Sequence, residues 1–497
     1  MMQLTSLPVP KQWALKKMNE YEVAEMLEKH IDFVDKDGES VHCPTPFVRH
    51  YMNRDDGALP IVVAISNLPI VLADGNLLAP QGLDRLRGIV FRIDPELRKL
   101  IPNRDECNAD TVGEAMHFLT EEWLADVATD YAGKCSLIAM ALTMIERSLL
   151  DQRPTWFVTA GRRGSGKTTA ITILIEAVTG IPPAAAAWST NEEERRKALL
   201  SFFMAGCAYI LWDNIPRGSQ ISCPHIEKSC TAAYYADRKL GVSEMVATAA
   251  STIHCFTGNN IGPKGDLASR SLQVRLDVER IDPENRDFKH PDVVQWTRNN
   301  RAELLRAMYV ILMANPTLKE PADKQMKTRF KMWWRLVGSA VENAAKLHSQ
   351  AIDPAAYSAD DVRKPKAMDF GTMFLDLEED DEEQASLGQA LNIMKKQWEA
   401  LQKGFRASDV VEWLNNAGTT PTPNAVALKG FFYPAAPGNA AADPLTVGKK
   451  LGAHVGEVVP YNGRSLVLRR MAKSEKTKVA SNYFVADLGG EEENRGL

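Results

Sequence analysis

Gly161-Arg162-Arg163-Gly164-Ser165-Gly166-Lys167-Thr168 narrows the possible folds more than any other stretch of the chain. Upstream, Trp156 to Ala160 (WFVTA) has the composition of a short buried strand, and Ala170 to Val178 continues as an apolar helix. Strand, Gly-rich loop and helix in that order are what a phosphate-binding loop requires. Gly161, Gly164 and Gly166 let the backbone curl so that successive N–H groups point at phosphate oxygens, and the helix start adds its positive dipole end. In such a loop Lys167 neutralises the outer phosphates and Thr168 offers a hydroxyl to Mg²⁺, with Ser165 and Thr169 completing the nucleotide-contacting set. The bland alternative is a glycine-rich turn that binds nothing. All eight positions match the pattern, between a strand and a helix, which weighs against it.

Three further strands are expected downstream: Cys207 to Trp212, Thr252 to Thr257 and Leu272 to Leu276. Strands alternating with helical segments imply an α/β fold with a parallel sheet covered on both faces. Asp213 closes the first of these strands and is the expected metal-side carboxylate, on a strand placed next to the loop strand. Asn214 follows where many motors carry a glutamate. Asparagine positions a water but cannot accept its proton, so the usual general base is missing there. Asn259, with Asn260, ends the second strand, either to reach a terminal phosphate or simply as a turn. Arg270 precedes the last strand, either as an arginine directed at a neighbouring subunit's nucleotide or as a plain surface residue.

The rest of the chain divides by pattern. Residues 1–110 read as a small α+β domain, with Asp74-Gly75 as a hairpin turn. Residues 111–152 read as a helical linker or collar, 153–285 as the nucleotide-binding core, 286–365 as a helical lid and 366–390 as an acidic linker containing EEDDEE, a stretch that also suits an exposed helix start. In 391–488, helices followed by a basic hairpin across Tyr461-Asn462-Gly463 suggest a winged helix, and 489–497 read as a disordered tail. The net charge of −5 does not advertise a nucleic-acid binder. Locally, however, Leu445 to Lys478 holds eight Lys/Arg against Glu457 and Glu475, a balance of +6. The seven cysteines form no CxxC pair, and the Cys223, His225, Cys230 spacing fits no common zinc site. No apolar run is long enough for a membrane span and the start has no secretory pattern, so a cytoplasmic protein without membrane partners is expected.

With these landmarks in order, the chain resembles the superfamily 3-type AAA+ helicases of phages, plasmids and integrated islands, the helicase half of primase–helicase proteins. The matching segments are GRRGSGKT, NEEERRKALLSFFMAGCAYILWDN, ADRKLG and TGNNIGPKGDLASRSLQVRLD. The resemblance implies an AAA+ core and a homo-oligomeric ring, usually a hexamer, with ATP and Mg²⁺ between subunits and single-stranded or forked DNA as partner. It also implies that Lys167 and Thr168 bind nucleotide, Asp213 holds Mg²⁺, Asn259 senses the phosphate and Arg270 acts in trans. Asp213-Asn214 resembles a recurring variant of that group. Arg238 and Lys239 fall where such helicases carry a DNA-gripping pore hairpin, although ADRKLG would equally suit an element of the nucleotide site. No primase domain is recognisable upstream, which leaves two alternatives, a separate primase as partner or a trimmed sequence.

Two other readings stay open from the residues alone. One is an ATP-gated DNA-binding assembly that barely hydrolyses, which Asn214 favours. The other is a defence or signalling ATPase, which the TGNN to GDLASR run disfavours.

Overall fold

The computed structural model describes residues 2–7, 12–54, 62–238, 245–278, 286–318, 329–353, 356–358, 361–398, 404–416, 422–433, 442–462, 464–471 and 482–488. Two compact units divide the chain, one of Met1–Arg217 with Ile221–Phe374, the other of Leu375–Leu497 with Gly218–Gln220.

The first unit is built on a five-stranded sheet whose strands all run parallel: β1 (Thr155–Ala160), β2 (Ala185–Ala187), β3 (Tyr209–Ile215), β4 (Ile253–Asn259) and β5 (Ser271–Leu276). Their order across the sheet is β5-β1-β4-β3-β2. Every residue of β1 is buried, as a strand covered on both faces demands. β3, which carries Asp213, does not lie beside the loop strand as expected; β4 runs between them. A parallel connection crosses over the sheet and can leave a gap that a later strand fills, so neighbours in sequence need not be neighbours in space. β2 was not foreseen either. Ala185–Ala187 has no β-branched or alternating pattern, and becomes a strand by pairing with Leu211 to Asp213.

A helical body grips this sheet. Tyr131–Glu146 is apolar all round and almost wholly buried, which marks it as a central helix. Helices before the sheet (Ala109–His117, Tyr131–Glu146) and after it (Arg301–Met313, Ser339–Ala351) share one hydrophobic core with β1 and the Lys167–Thr179 helix. Paired polar groups fix the packing: Trp123 Nε1 donates to Thr297 Oγ1 (3.0 Å) and Trp333 Nε1 to Thr143 Oγ1 (2.8 Å). The stretches read from sequence as a collar and a lid are thus packed as one body. Upstream lies a small β layer in which Asp74-Gly75 turns between Ile70–Val71 and Leu77–Leu78, with Gly75 at φ 81°.

The second unit packs Ala407–Asn415, Pro423–Phe432 and Pro444–Ala453 on a three-stranded antiparallel sheet of Val458–Tyr461, Arg464–Arg470 and Tyr483–Asp487. Asn462, at φ 48°, turns the first two strands. A single helix, Phe370–Trp398, runs through the acidic block, in line with a helix start there and not with an extended linker. Glu is a good helix former, and a charge run alone does not break a helix. The tail 489–497 lies outside the described residues. No described helix is long and apolar enough to cross a membrane.

Candidate functional site

The loop leaves the C-terminal end of the buried strand β1 and runs into the Lys167–Thr179 helix. Gly164 (φ 71°) and Gly166 (φ 86°) take the left-handed conformation that side-chain-bearing residues avoid, so the curl of the loop needs glycine at both. Ser165 is buried and its Oγ donates to the Arg162 carbonyl (2.7 Å), which spends that hydroxyl on closing the loop. Thr168 and Thr169 are exposed on the first helical turn. The helix is held at its far end, where Arg298 Nη2 donates to the buried Glu176 Oε1 (2.8 Å).

Three of the expected residues meet at this sheet edge. Asn259 pairs in register with Ala160, the last residue before the loop. Its Oδ1 accepts from Lys167 Nζ at 2.7 Å, and the same ammonium donates to the Arg162 carbonyl (3.3 Å). Burial lowers the Lys167 pKa, opposed by the negative charge of Asp213. Asp213 Oδ1 accepts from Thr257 Oγ1 (2.7 Å) and from the Asn214 backbone N–H (2.8 Å), and Oδ2 has no hydrogen-bond partner among the described residues. Thr257 was not singled out from the sequence. The signal was there: two residues before Asn259 on one strand, it faces the same side of the sheet.

Asn214 is exposed and sits at φ 58° beside an irregularity where β3 loses register with β4 between Trp212 and Ile215. Asparagine tolerates that backbone well; glutamate does not.

Asp213 Oδ2 and the exposed Thr168 hydroxyl are the donor types that a magnesium ion takes from protein when phosphates and water supply the rest. No group of three or more His, Cys, Asp or Glu that could cage a metal exists among the described residues. Cys223 and Cys230 are buried thiols, and His225 Nδ1 shares a hydrogen bond with the Tyr235 hydroxyl (3.1 Å).

Arg270 does not join this cluster. It precedes Ser271, which pairs with Thr155 at the start of β1, whereas the loop follows Ala160 at its end. A strand of this length spans about 17 Å, more than an arginine side chain covers. Arg270 is largely buried and ion-paired with Asp266, which also pairs with Arg329 (3.4 Å).

Arg238 lies on an antiparallel hairpin, Tyr234–Arg238 against Met245–Ala249, that protrudes between β3 and β4 in the chain. One face is anchored: Tyr235 is buried, and Asp237 Oδ1 pairs with Arg196 (2.9 Å). The other face exposes Tyr234, Arg238 and Met245. ADR is therefore part of a hairpin. Lys239 lies outside the described residues.

The mixed α/β architecture with its five-stranded parallel sheet is compatible with a P-loop nucleoside triphosphatase core. No protein-family model matches the chain. No curated protein matches it. Similar solved structures include the A-form apo structure of the NrS-1 C-terminal region, at TM-score 0.34 and 12% identity, covering 80% of this chain and 79% of that one. A second A-form structure of the same region gives 0.34 and 10%, with coverage of 98% and 96%. SCCmec type IV Cch, described as an active helicase, gives 0.32 and 13%, with coverage of 99% and 94%. Such loose similarities carry no weight beside the residues of the site itself.

Proposed function

We propose that the chain is an ATP-driven DNA helicase motor of the superfamily 3 AAA+ type, acting in the replication of a mobile genetic element. The observation that carries this reading is the meeting of Lys167, Asn259 and Asp213 at one sheet edge, while Arg270 stands at the other. Lys167 and the loop N–H groups, with Gly161, Gly164, Ser165, Gly166 and Thr169, bind the phosphates of ATP. Thr168 and Asp213 would hold Mg²⁺, which would supply neutralisation of the phosphate charge.

Asn259 releases Lys167 to the terminal phosphate and, with Asn214, orients the attacking water. Phosphoryl transfer through a loose transition state needs little help from a base, so an asparagine at 214 is compatible with turnover. Arg270 completes the site of a neighbouring subunit, which makes a homo-oligomeric ring, a hexamer in this reading, the active form. Arg238, on the hairpin, and Lys239, the next residue in the chain, grip single-stranded DNA phosphates. Residues 391–488 form a winged helix that contacts DNA or a separate primase. The setting is cytoplasmic.

The test is ATP·Mg²⁺-dependent strand displacement on a forked duplex. Displacement lost in Lys167→Ala supports a motor, and its absence in a nucleotide-binding wild type refutes one. Asn214 specifically favours a second reading, an ATP-gated DNA-binding assembly. In that case DNA binding responds to ATP while hydrolysis stays unstimulated.

A further inference from the structure

Segment 286–290 follows the sheet and comes back to the phosphate loop carrying an arginine that none of the motif readings used. The segment is fixed to the helical body by one acid. Asp126 Oδ1 accepts the Lys289 N–H (2.7 Å) and Oδ2 the His290 N–H (2.8 Å). Lys289 Nζ pairs with Glu122 (2.7 Å), and the His290 ring stacks on Trp296 with centroids 4.4 Å apart. The Arg286 guanidinium is pinned by a hydrogen bond from Nη2 to the Asp126 carbonyl and lies 4.9 Å from the centre of the Phe288 ring.

So held, the guanidinium faces the loop. Its Nη2 is 3.9 Å from the point where a β-carbon on Gly166 would sit. Nη1 is buried and finds no hydrogen-bond acceptor among the described residues. The Asp126 carboxylate, whose two oxygens each take a backbone N–H, does not accept from Nη1. A buried, unpaired donor on a permanently charged group is expensive and calls for a partner. Nη2 of the same guanidinium lies at Gly166, and there the chemistry of a partner for the group is defined by the loop, whose N–H groups face the inner phosphates of a nucleotide.

We propose that Arg286 is a second cationic contact, from the same subunit as the loop, to the inner phosphates of the bound nucleotide, and that Asp126 is its positioning residue. This rests on the nucleotide-site reading above and adds a phosphate-binding residue to it. Arg286 and Arg270 then divide the work: Arg286 serves its own loop, and Arg270 serves the neighbour's.

Binding of a fluorescent ADP with Mg²⁺ to the full-length chain tests this. Arg286→Ala is expected to weaken ADP binding by about tenfold or more, the scale of a lost charge-assisted hydrogen bond, and Arg286→Lys to recover part of it. The melting temperature without nucleotide is expected to match wild type for Arg286→Lys. Should Arg286→Ala fail to fold, dicarbonyl modification of wild-type arginines, mapped by mass spectrometry, gives the same answer. ADP, but not adenosine, is expected to protect Arg286. Unchanged ADP affinity in Arg286→Ala, or modification of Arg286 indifferent to ADP, overturns the proposal. A wild-type chain that binds neither ADP nor ATP overturns the nucleotide-site reading, and this proposal with it.

Discussion

Single residues at the sheet edge carry two burdens, backbone geometry and chemistry, and substitution separates them. Asn214 sits at φ 58°, so Asn214→Gly is expected to leave the melting temperature unchanged while slowing ATP hydrolysis. Asn214→Ala is expected to slow hydrolysis as well and to lose about 1 kcal/mol of stability, because alanine resists the left-handed region. Equal stability of the two variants in thermal melts would contradict the strain. Thr257→Val deletes the hydroxyl at 2.7 Å from Asp213 while keeping the side-chain shape. Turnover is expected to fall about tenfold with a raised Mg²⁺ requirement, the scale of one hydrogen bond to a charged group. A steady-state Mg²⁺ titration reads both.

The residues legible in the sequence were those whose chemistry coincides with a break in pattern. Lys167, Asp213 and Asn259 each end or follow a buried apolar run, so periodicity and chemistry point to the same place. Thr257 lies inside a run and looks like packing, and Arg286 follows no motif at all. Both gain meaning only from neighbours brought in by the fold.

Elements carry the next level of the account. Glu146, at the end of the central Tyr131–Glu146 helix, is fully buried and accepts the Val71 N–H at 2.8 Å, clasping the small β layer to the helical body. Burial pushes its pKa up to about 8, against the pull of the Val71 N–H. A carboxyl raised in the folded state stabilises fully below its unfolded pKa of 4.5, and that stability is lost as pH rises through about 8. Glu146→Gln keeps the acceptor without the titration. It is expected to flatten the decline in melting temperature between pH 5 and 9, an effect of at most about 5 kcal/mol. Parallel declines in both proteins would contradict the assignment.

The Tyr234–Arg238 and Met245–Ala249 hairpin is anchored on one face and exposed on the other. Arg238→Ala is therefore expected to leave thermal stability intact. It should weaken single-stranded DNA binding and reduce the magnitude of the salt dependence (log K against log salt) by about one unit per subunit contact. Fluorescence anisotropy at several salt concentrations measures it; an unchanged salt slope would remove Arg238 from the DNA path. The hairpin position was readable from the order of segments. Strand adjacency was not, because a crossover connection does not encode how many places in the sheet it skips.

At the scale of the whole molecule, the two ends of the sheet carry different parts of the proposed nucleotide site. The loop and Asn259 stand at one edge, and Arg270 stands about 17 Å away at the other, a strand's length that no arginine spans. If the nucleotide site needs Arg270, as proposed, it is complete only between copies of the chain, and assembly would be coupled to hydrolysis. The measurement that tests this most directly is ATP hydrolysis with and without single-stranded DNA. It is run on wild type, on Lys167→Ala, on Arg270→Ala and on a mixture of the two variants. DNA-stimulated hydrolysis in wild type, loss in each variant alone and partial return on mixing is the expected result. Mixed interfaces restore it, because they pair an intact loop from one subunit with an intact Arg270 from the next. No hydrolysis by a wild type that binds ATP would contradict the motor, and two variants that stay inactive when mixed would contradict Arg270 acting between subunits.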